Sequence, residues 1–335
     1  MTNQLIGPTP PALDGIAWRE ARPEDVPALQ QLQVVANRVD GPLDVQAVGH
    51  YADLFLDGRR GFTATLCGIA PSGDVVALGS VDIHSLAHEH RAYLDGLVHP
   101  DLRRRGLGTF LLEWGEARGR ALLHTLSPDR PAVLLIDYMD SRDDAVPLYE
   151  CHGFAFKLAE NTMRRDLHET IEDDSSPQPI TLIPWGQTDP HVYYETYYDA
   201  FRHRPGFPGW SEDVWREAFT GSDAFRPDLS LLATVEGRPA GYMLCEIDQE
   251  RNGGLCRLEG WILQMGVRPA WRGRGVGEAL VRAALRAFRV EGLDDAMLDV
   301  NINNPEAQRL YDRLGFQTVA RRTVYTKSVP PAIRP

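Results

Sequence analysis

Apolar residues along the chain fall into two spacings. In the second half, residues 231–235 and 240–247 form two short apolar blocks around Glu236-Gly237-Arg238-Pro239, which predicts a β-hairpin. Residues 258–267 predict a longer strand. From Glu278 the spacing changes. Leu280, Val281, Ala284, Leu285 and Phe288 fall three or four apart, with Arg282, Arg286 and Arg289 on the other face. That pattern predicts an amphipathic helix with one core-facing stripe. Residues 296–300 predict a short buried strand. Asn304-Pro305-Glu306 then opens another helix, with an Asn cap, a proline at the first position and an acid in the first turn. The first half repeats the order, with a strand at 93–98, a helix from Thr109 and a strand at 133–138. The class is mixed α/β.

The repetition extends to residue identity. Leu97-Val98-His99-Pro100-Asp101-Leu102-Arg103-Arg104-Arg105-Gly106-Leu107-Gly108 and Gly266-Val267-Arg268-Pro269-Ala270-Trp271-Arg272-Gly273-Arg274-Gly275-Val276-Gly277 share Val-x-Pro-x-x-Arg-x-x-Gly-x-Gly. Further on, Leu148-Tyr149 with Gly153-Phe154 matches Leu310-Tyr311 with Gly315-Phe316. Two ordered matches at nearly one offset mark a duplication. Residues 169–179 (ETIEDDSSPQP) are acidic, Ser/Pro-rich and poor in apolar side chains, as a linker is. The expected division is therefore a domain at 14–168, a linker at 169–179 and a second domain at 180–328.

In each copy a strand runs into Arg-x-x-Gly-x-Gly and then into an amphipathic helix. The glycines allow a tight turn and close approach of a ligand to the backbone. The first amides of the helix are unpaired and sit at the positive end of its dipole. Arginines add donors, and the assembly is suited to a pyrophosphate. A Walker loop needs Gly-Lys-Ser/Thr and a dinucleotide fingerprint needs Gly-x-Gly-x-x-Gly; neither turn supplies one. The plain alternative is a pair of strand–helix turns with solvated arginines, and its recurrence with matching downstream residues argues against it.

Composition narrows the partners. The 335 residues carry 35 basic and 47 acidic side chains, a formal charge of −12. An electrostatic nucleic-acid binder needs a basic face, so nucleic acid is not expected as a partner. No apolar run is long enough to span a bilayer, so no membrane role is expected. Cys67, Cys151, Cys245 and Cys256 lie far apart, which suits a reducing, cytoplasmic setting and argues against a cysteine zinc site. His84, His88 and His90 with Glu89 lack a further ligand at zinc spacing, so no metal is expected.

Both halves resemble the GNAT acetyltransferase superfamily, over residues 16–165 and 180–327. The tandem layout resembles mycothiol synthase and its relatives, as does the stretch Ala200-Phe201-Arg202-His203-Arg204-Pro205 with Trp210. The resemblance implies two tandem domains, each a mixed, mostly antiparallel twisted sheet flanked by helices. It implies acetyl-CoA as co-substrate, with a splayed strand holding the pantetheine arm and the glycine turn holding the pyrophosphate. On that basis Met265, Gly266 and Val267 would contact pantetheine, and Arg272, Gly273, Arg274, Gly275, Val276 and Gly277 the pyrophosphate. The first-copy equivalents are Gly96, Leu97 and Val98, and Arg103, Arg104, Arg105, Gly106, Leu107 and Gly108.

Acetyl transfer to an amine needs a neutral amine, an oriented carbonyl, a donor for the developing oxyanion and a proton for the departing thiolate. Tyr311 is the expected general acid; it lies two helical turns after Asn304 on the same face. The alternative for Tyr311 is a core residue beside Phe316. Asn304 either contacts the cofactor, as in the family, or only caps its helix. For the base, the resemblance points six residues before Val267, where Trp261 stands; Glu259 is two residues off and is the carboxylate candidate. A solvated strand-end carboxylate is its alternative, and His203 or a water chain are others. Tyr193, Tyr194, Tyr197, Tyr198, Phe201, Trp210 and Trp215 form either a packed core or part of a substrate wall.

The copies differ at the last helix. Arg142 stands where Asn304 stands, Pro147 falls in or near its first turn, and Asp95 is the only carboxylate on the 93–98 strand. Ser141 and Asp144 have the spacing of a capping box. The second copy is therefore expected to be catalytic and the first to be degenerate or regulatory, binding acyl-CoA with little turnover. The expected activity is direct transfer of an acetyl group from acetyl-CoA to a primary amine of a small molecule, in a ternary complex. A protein or peptide N-acetyltransferase and a non-catalytic acyl-CoA sensor are the other two readings. The acceptor, the acyl-chain preference and the oligomeric state are not legible.

Overall fold

The computed structural model describes residues 15–40, 64–86, 89–139, 144–172, 179–204, 209–253 and 257–331, with Pro8 and Phe207 besides. The chain divides into two compact units, one of Met1–Ala159 with Arg322–Pro335, the other of Glu160–Arg321.

The first unit holds β1 (Ala17–Arg19), α1 (Val26–Asp40), β2 (Ala64–Ile69), β3 (Val75–Ser85), β4 (His90–Val98), α2 (Leu107–Leu123), β5 (Ala132–Met139) and α3 (Val146–Cys151). Its strands pair in the order β1-β2-β3-β4-β5, antiparallel except for the parallel pair β4 and β5. The stripe of α2 (Leu107, Phe110, Leu111 and Trp114) packs on Val81, Ile83, Ala92 and Leu94. On the opposite face Leu29, Leu32 and Ala36 of α1 pack on Leu78 and Leu97. Each face of the sheet is thus covered by one helix, and alternate residues of β3 and β4 serve different layers.

The second unit repeats the plan. After β6 (Ala155–Asp166) come β7 (Thr181–Pro184), α4 (Pro190–Phe201), α5 (Glu212–Thr220), β8 (Leu231–Val235), β9 (Arg238–Glu246), α6 (Gln249–Gly253), β10 (Glu259–Val267), α7 (Val276–Val290), β11 (Asp295–Asn301), α8 (Pro305–Arg313) and β12 (Gln317–Val329). The sheet order is β11-β10-β9-β8-β7, again with one parallel pair, β10 and β11. Val276, Leu280, Val281, Ala284, Leu285 and Phe288 of α7 join Met243, Ile262 and Leu298 in one core. The other face is aromatic: Tyr193, Tyr197, Trp215 and Tyr242 are buried together, with Tyr197 and Trp215 stacked at 5.4 Å. This cluster is core, not an open substrate wall.

The terminal strands depart from a simple tandem. Residues 160–166 of β6 follow the first copy in sequence, yet pair antiparallel with β11 of the second unit, from Glu160–Asn301 to Asp166–Asp295. Residues 322–329 of β12 follow the second copy, yet pair with β5 of the first unit, from Arg322–Met139 to Val329–Ala132. The units therefore differ from the expected 14–168 and 180–328. Each is closed by the strand that follows the other copy's last helix.

Smaller differences are local. The hairpin turn is only Glu236-Gly237, with φ of 52° and 72°, so Arg238 and Pro239 already belong to β9. Helix α7 begins at Val276 rather than near Glu278. Pro147 lies in the first turn of α3, where no side chain caps the helix. Ser141, Arg142, His88, Pro205 and Cys256 lie outside the described residues. His90 is buried and bonded to Ser85 Oγ at 2.9 Å and to the Ser127 carbonyl at 3.1 Å. Among the described residues no cluster of His, Cys, Asp or Glu is arranged to hold a metal, and no helix is long and apolar enough to cross a membrane.

Candidate functional site

Each unit contains a fork between its two parallel strands. β10 pairs with β11 from Glu259–Asp295 only as far as Ile262–Leu298, although β10 continues to Val267 and β11 to Asn301. β4 pairs with β5 from His90–Ala132 to Leu94–Ile136 and then continues to Val98. Beyond each fork the peptide groups on that edge have no ladder partner among the described residues, which leaves donors and acceptors short of the Val98 and Val267 carbonyls for a ligand. Met265, Gly266 and Val267 lie on the free edge of β10; Gly96, Leu97 and Val98 lie on that of β4.

The forks are not identical. The register of β10 on β9 shifts between Ile262 and Gln264, so Leu263 is the extra residue of a bulge. β4 keeps one register along β3 throughout. Leu263 joins the aromatic cluster on the α4 side, and Met265 and Val267 pack toward α7.

At the end of each free edge the chain turns into a helix through a left-handed glycine, Gly275 at φ 83° and Gly106 at φ 85°. Neither helix has a side-chain cap. The first helical bonds are Ala279 N–H to Gly275 O at 2.9 Å and Phe110 N–H to Gly106 O at 3.0 Å. The amides of Val276, Gly277 and Glu278, and of Leu107, Gly108 and Thr109, precede them and have no helical acceptor. Gly273 has φ 70°, and its counterpart Arg104 adopts φ 62° at a steric cost of roughly 1–2 kcal/mol. Arg274 lies over the Trp271 ring at 5.1 Å.

Arg272 and Arg103 do something the sequence did not suggest. Arg272 donates to the Val267 carbonyl at 3.2 Å and to the Ala200 carbonyl at 2.9 Å. Arg103 donates to the Val98 carbonyl at 3.2 Å and grips Asp40 in a bidentate pair at 2.6 and 2.7 Å. In both copies this arginine ties the end of the forked strand to the end of the unit's first helix.

Tyr311 sits on α8 with 6% of its surface exposed, its ring 5.8 Å from that of Phe316. Burial pushes its hydroxyl up to about 12, opposed by the charge of Arg204. The Arg204 guanidinium lies 4.6 Å from the Phe201 ring centre, and burial and Arg272 depress its own pKa. Helix α8 meets the cradle directly: a Cβ on Gly277 would stand 3.2 Å from Leu310 Cδ2. Asn304 caps α8, accepting Ala307 N–H at 3.5 Å.

The expected base is placed less favourably. Glu259 lies three residues before the fork, accepts from Trp261 Nε1 at 3.2 Å and stands 3.5 Å from the Arg251 guanidinium. Sequence reasoning missed Glu246. It pairs directly across from Trp261, one step from the fork, and burial, with Asp248 adding, raises its carboxyl pKa against the pull of Arg251. Only the strand register makes that proximity visible. Gln264, also missed, accepts from Trp215 Nε1 at 2.8 Å and from the Tyr242 hydroxyl at 2.5 Å. His203 is exposed.

The first unit holds a cavity of about 720 Å³ along its fork. Gly96, Leu97, Val98, Gly106, Gly108 and Tyr149 line it, and β12 contributes Arg322, whose Nε is 2.8 Å from Asp137. Arg103 and Arg104 also border it.

Comparison with known proteins agrees with this geometry. The model of the acetyltransferase (GNAT) family matches twice, at residues 28–154 and 189–316. A mycothiol acetyltransferase of Parafrankia sp. (strain EAN1pec) is 28% identical over 337 residues, 94% of this chain and 99% of that protein. One from Stackebrandtia nassauensis is 32% identical over 237 residues, 67% of this chain and 71% of its own. A GCN5-related N-acetyltransferase from Sphaerobacter thermophilus superposes with a TM-score of 0.76 at 26% identity, covering 96% of this chain and 98% of that one. A tandem GNAT protein from the clavulanic acid biosynthesis pathway shares the fold at 19% identity, with a TM-score of 0.65 over 95% of this chain and all of the other. Two forked sheets, two uncapped helix mouths and two matches to one family lead to a single statement: the chain belongs to the GNAT acetyltransferase family, in tandem form, and is an N-acetyltransferase.

Proposed function

We propose that the second copy transfers an acetyl group from acetyl-CoA to the primary amine of a small molecule, both substrates being bound at once. The observation that carries this is the continuity of three features: the free edge of Leu263–Val267, the uncapped amides of Val276 and Gly277, and Tyr311 on the helix that packs against Gly277. A pyrophosphate fits the amides, which offer donors at the positive end of a 15-residue helix. A pantetheine arm fits the free edge, whose amides and carbonyls match its own. Acetyl-CoA supplies the activated acyl group.

The chain's residues then have separate tasks. A free-edge amide beside the bulge stabilises the carbonyl oxygen as charge develops on it. Tyr311, held neutral by burial, protonates the departing thiolate. Two carboxylates face the α4 side of the fork. Glu246 is the nearer, and we assign it the amine proton; Glu259 holds Arg251. The names of the curated relatives support a small-molecule acceptor over a protein.

Initial-velocity kinetics with acetyl-CoA and a panel of small amines tests this reading. Intersecting double-reciprocal lines and an acetylated amine by mass spectrometry are expected. Parallel lines would point to an acetyl-enzyme instead. No thiol release with any amine would remove the assignment.

A further inference from the structure

On β3 of the first unit, Val81 and Ile83 face the α2 core, and the alternate residues Ser80, Asp82 and His84 face the cavity. Across from them on β4 stand Asp95, Tyr93 and Arg91. His84 Nε2 is 3.1 Å from Asp82 Oδ2, and the His84 ring meets the Tyr93 ring edge-on at 4.9 Å. A carboxylate on one ring nitrogen fixes the tautomer: Nε2–H donates to Asp82, and Nδ1 is left as the basic nitrogen. The same cavity contains the forked edge, the glycine turn and Tyr149, the counterpart of Tyr311. The first copy thus combines, along one cavity, an oriented imidazole, a free strand edge, a helix mouth and a tyrosine hydroxyl.

Register shows that this dyad is not a shared feature of the duplication. Asp82 pairs with Tyr93 one step before its fork, as Glu246 pairs with Trp261. Two residues on, the first copy has His84 and the second Asp248. Two residues back, Ser80 borders the cavity, whereas Leu244 is buried in the aromatic cluster. In the first copy this face is polar and borders the cavity.

We propose that the first unit is a second acetyl-transfer centre, in which His84, oriented by Asp82, accepts the proton of a cationic primary alkylamine. The proposal rests on acetyl-CoA occupying the first fork as it does the second. The acceptor class follows from charge. Arg322 is paired with Asp137, Arg104 with Asp144 and Arg103 with Asp40, so the cationic groups of the wall are neutralised. Asp95, whose carboxylate takes only the amide of Gly96 among described donors, and the Asp82–His84 pair leave the amine side net negative. An alkylamine arrives as the ammonium, since its pKa is near ~10. In the step itself the ammonium gives one proton to Nδ1. The amine nitrogen bonds to the thioester carbon, the C–S bond breaks, and the thiolate takes the Tyr149 hydroxyl proton. Tyr149 is reprotonated by one of the two protons still on nitrogen, the other stays in the amide, and the imidazolium releases its own to solvent. Acetyl-CoA and an alkylammonium ion give an N-alkylacetamide, CoA thiol and one proton.

The test uses the full chain in the Tyr311→Phe background, which disables the second centre's acid. Thiol release is followed with acetyl-CoA and 1,4-diaminobutane or spermidine, and acetyl-CoA stoichiometry is measured by equilibrium dialysis. The expected result is a residual turnover that drops at least ~10-fold on adding His84→Gln, and likewise on adding Tyr149→Phe, with KM for acetyl-CoA unchanged and two acetyl-CoA bound per chain. A Tyr311→Phe chain with no turnover on these amines overturns the proposal, as does turnover indifferent to both second substitutions. One acetyl-CoA per chain, lost on altering the second cradle, overturns it and leaves the second-copy reading standing. One lost on altering the first cradle does the reverse.

Discussion

A Cβ placed on Gly266 would stand 2.9 Å from the Cβ of Ala200 and 2.8 Å from Phe201 Cε2. Helix α4 therefore lies flush against the free edge of β10, and Arg272 bonds both the strand end and the Ala200 carbonyl. Gly266→Ala is expected to destabilise the second unit by about 1–3 kcal/mol, the usual cost of overpacking a site whose neighbours are fixed. Urea denaturation measures this. A change under ~0.5 kcal/mol would mean that α4 can shift freely.

Tyr311→Phe keeps the ring that packs on Phe316 and removes only the hydroxyl. If that hydroxyl protonates the thiolate, kcat on a second-copy substrate falls by about 10²-fold, with KM for acetyl-CoA little changed. An unaltered kcat would make Tyr311 a core residue and nothing more.

The proton acceptor can be identified from pH. Burial and Asp248 raise the Glu246 carboxyl, and Arg251 is the opposing charge. A base works only when deprotonated, so kcat/KM should fall as pH drops through a value above the ordinary glutamate pKa of about 4.3. Glu246→Gln should lower the plateau and abolish that acid limb. Glu259→Gln should leave both in place. The opposite pattern would return the role to Glu259.

The exchanged strands make a stability prediction. A chain ending at Arg321 loses residues 322–329, which form the ladder along β5. The amides within 132–139 that donate to β12 should then lose their hydrogen-exchange protection, because that edge of β5 becomes uncovered, while those that donate to β4 keep theirs. Unchanged protection there would show that the first unit closes without β12. For the same reason, fragments cut at 169–179 would each carry the wrong terminal strand.

Much of this was legible beforehand. The Arg-x-x-Gly-x-Gly turns at Arg103–Gly108 and Arg272–Gly277 fall where expected because glycine alone takes the left-handed cap without strain. The amphipathic spacing from Leu280 to Phe288 likewise located α7, whose stripe is buried. The strand exchange was not legible. The segments after Phe154 and Phe316 have similar patterns, and pairing with β5 or β11 satisfies the same hydrogen bonds, so local sequence does not choose between them. Glu246 was invisible for a related reason: its place opposite Trp261 depends on the register of β9 on β10, with its one-residue shift at Leu263, and alternation by itself carries no register. The role of Arg103 and Arg272 as braces was hidden because their partners, Asp40 and the Ala200 carbonyl, are distant in sequence.

In the proposed complex the mouth of α7 grips a pyrophosphate while the thioester lies along the parted edge of β10. A crystal structure of the full chain with acetyl-CoA tests it most directly. Phosphate oxygens are expected within ~2.7–3.2 Å of the Val276 and Gly277 nitrogens, and the sulfur beside the Tyr311 hydroxyl. Acetyl-CoA bound elsewhere, with the bend at Arg272–Gly277 vacant at saturating ligand, would contradict it.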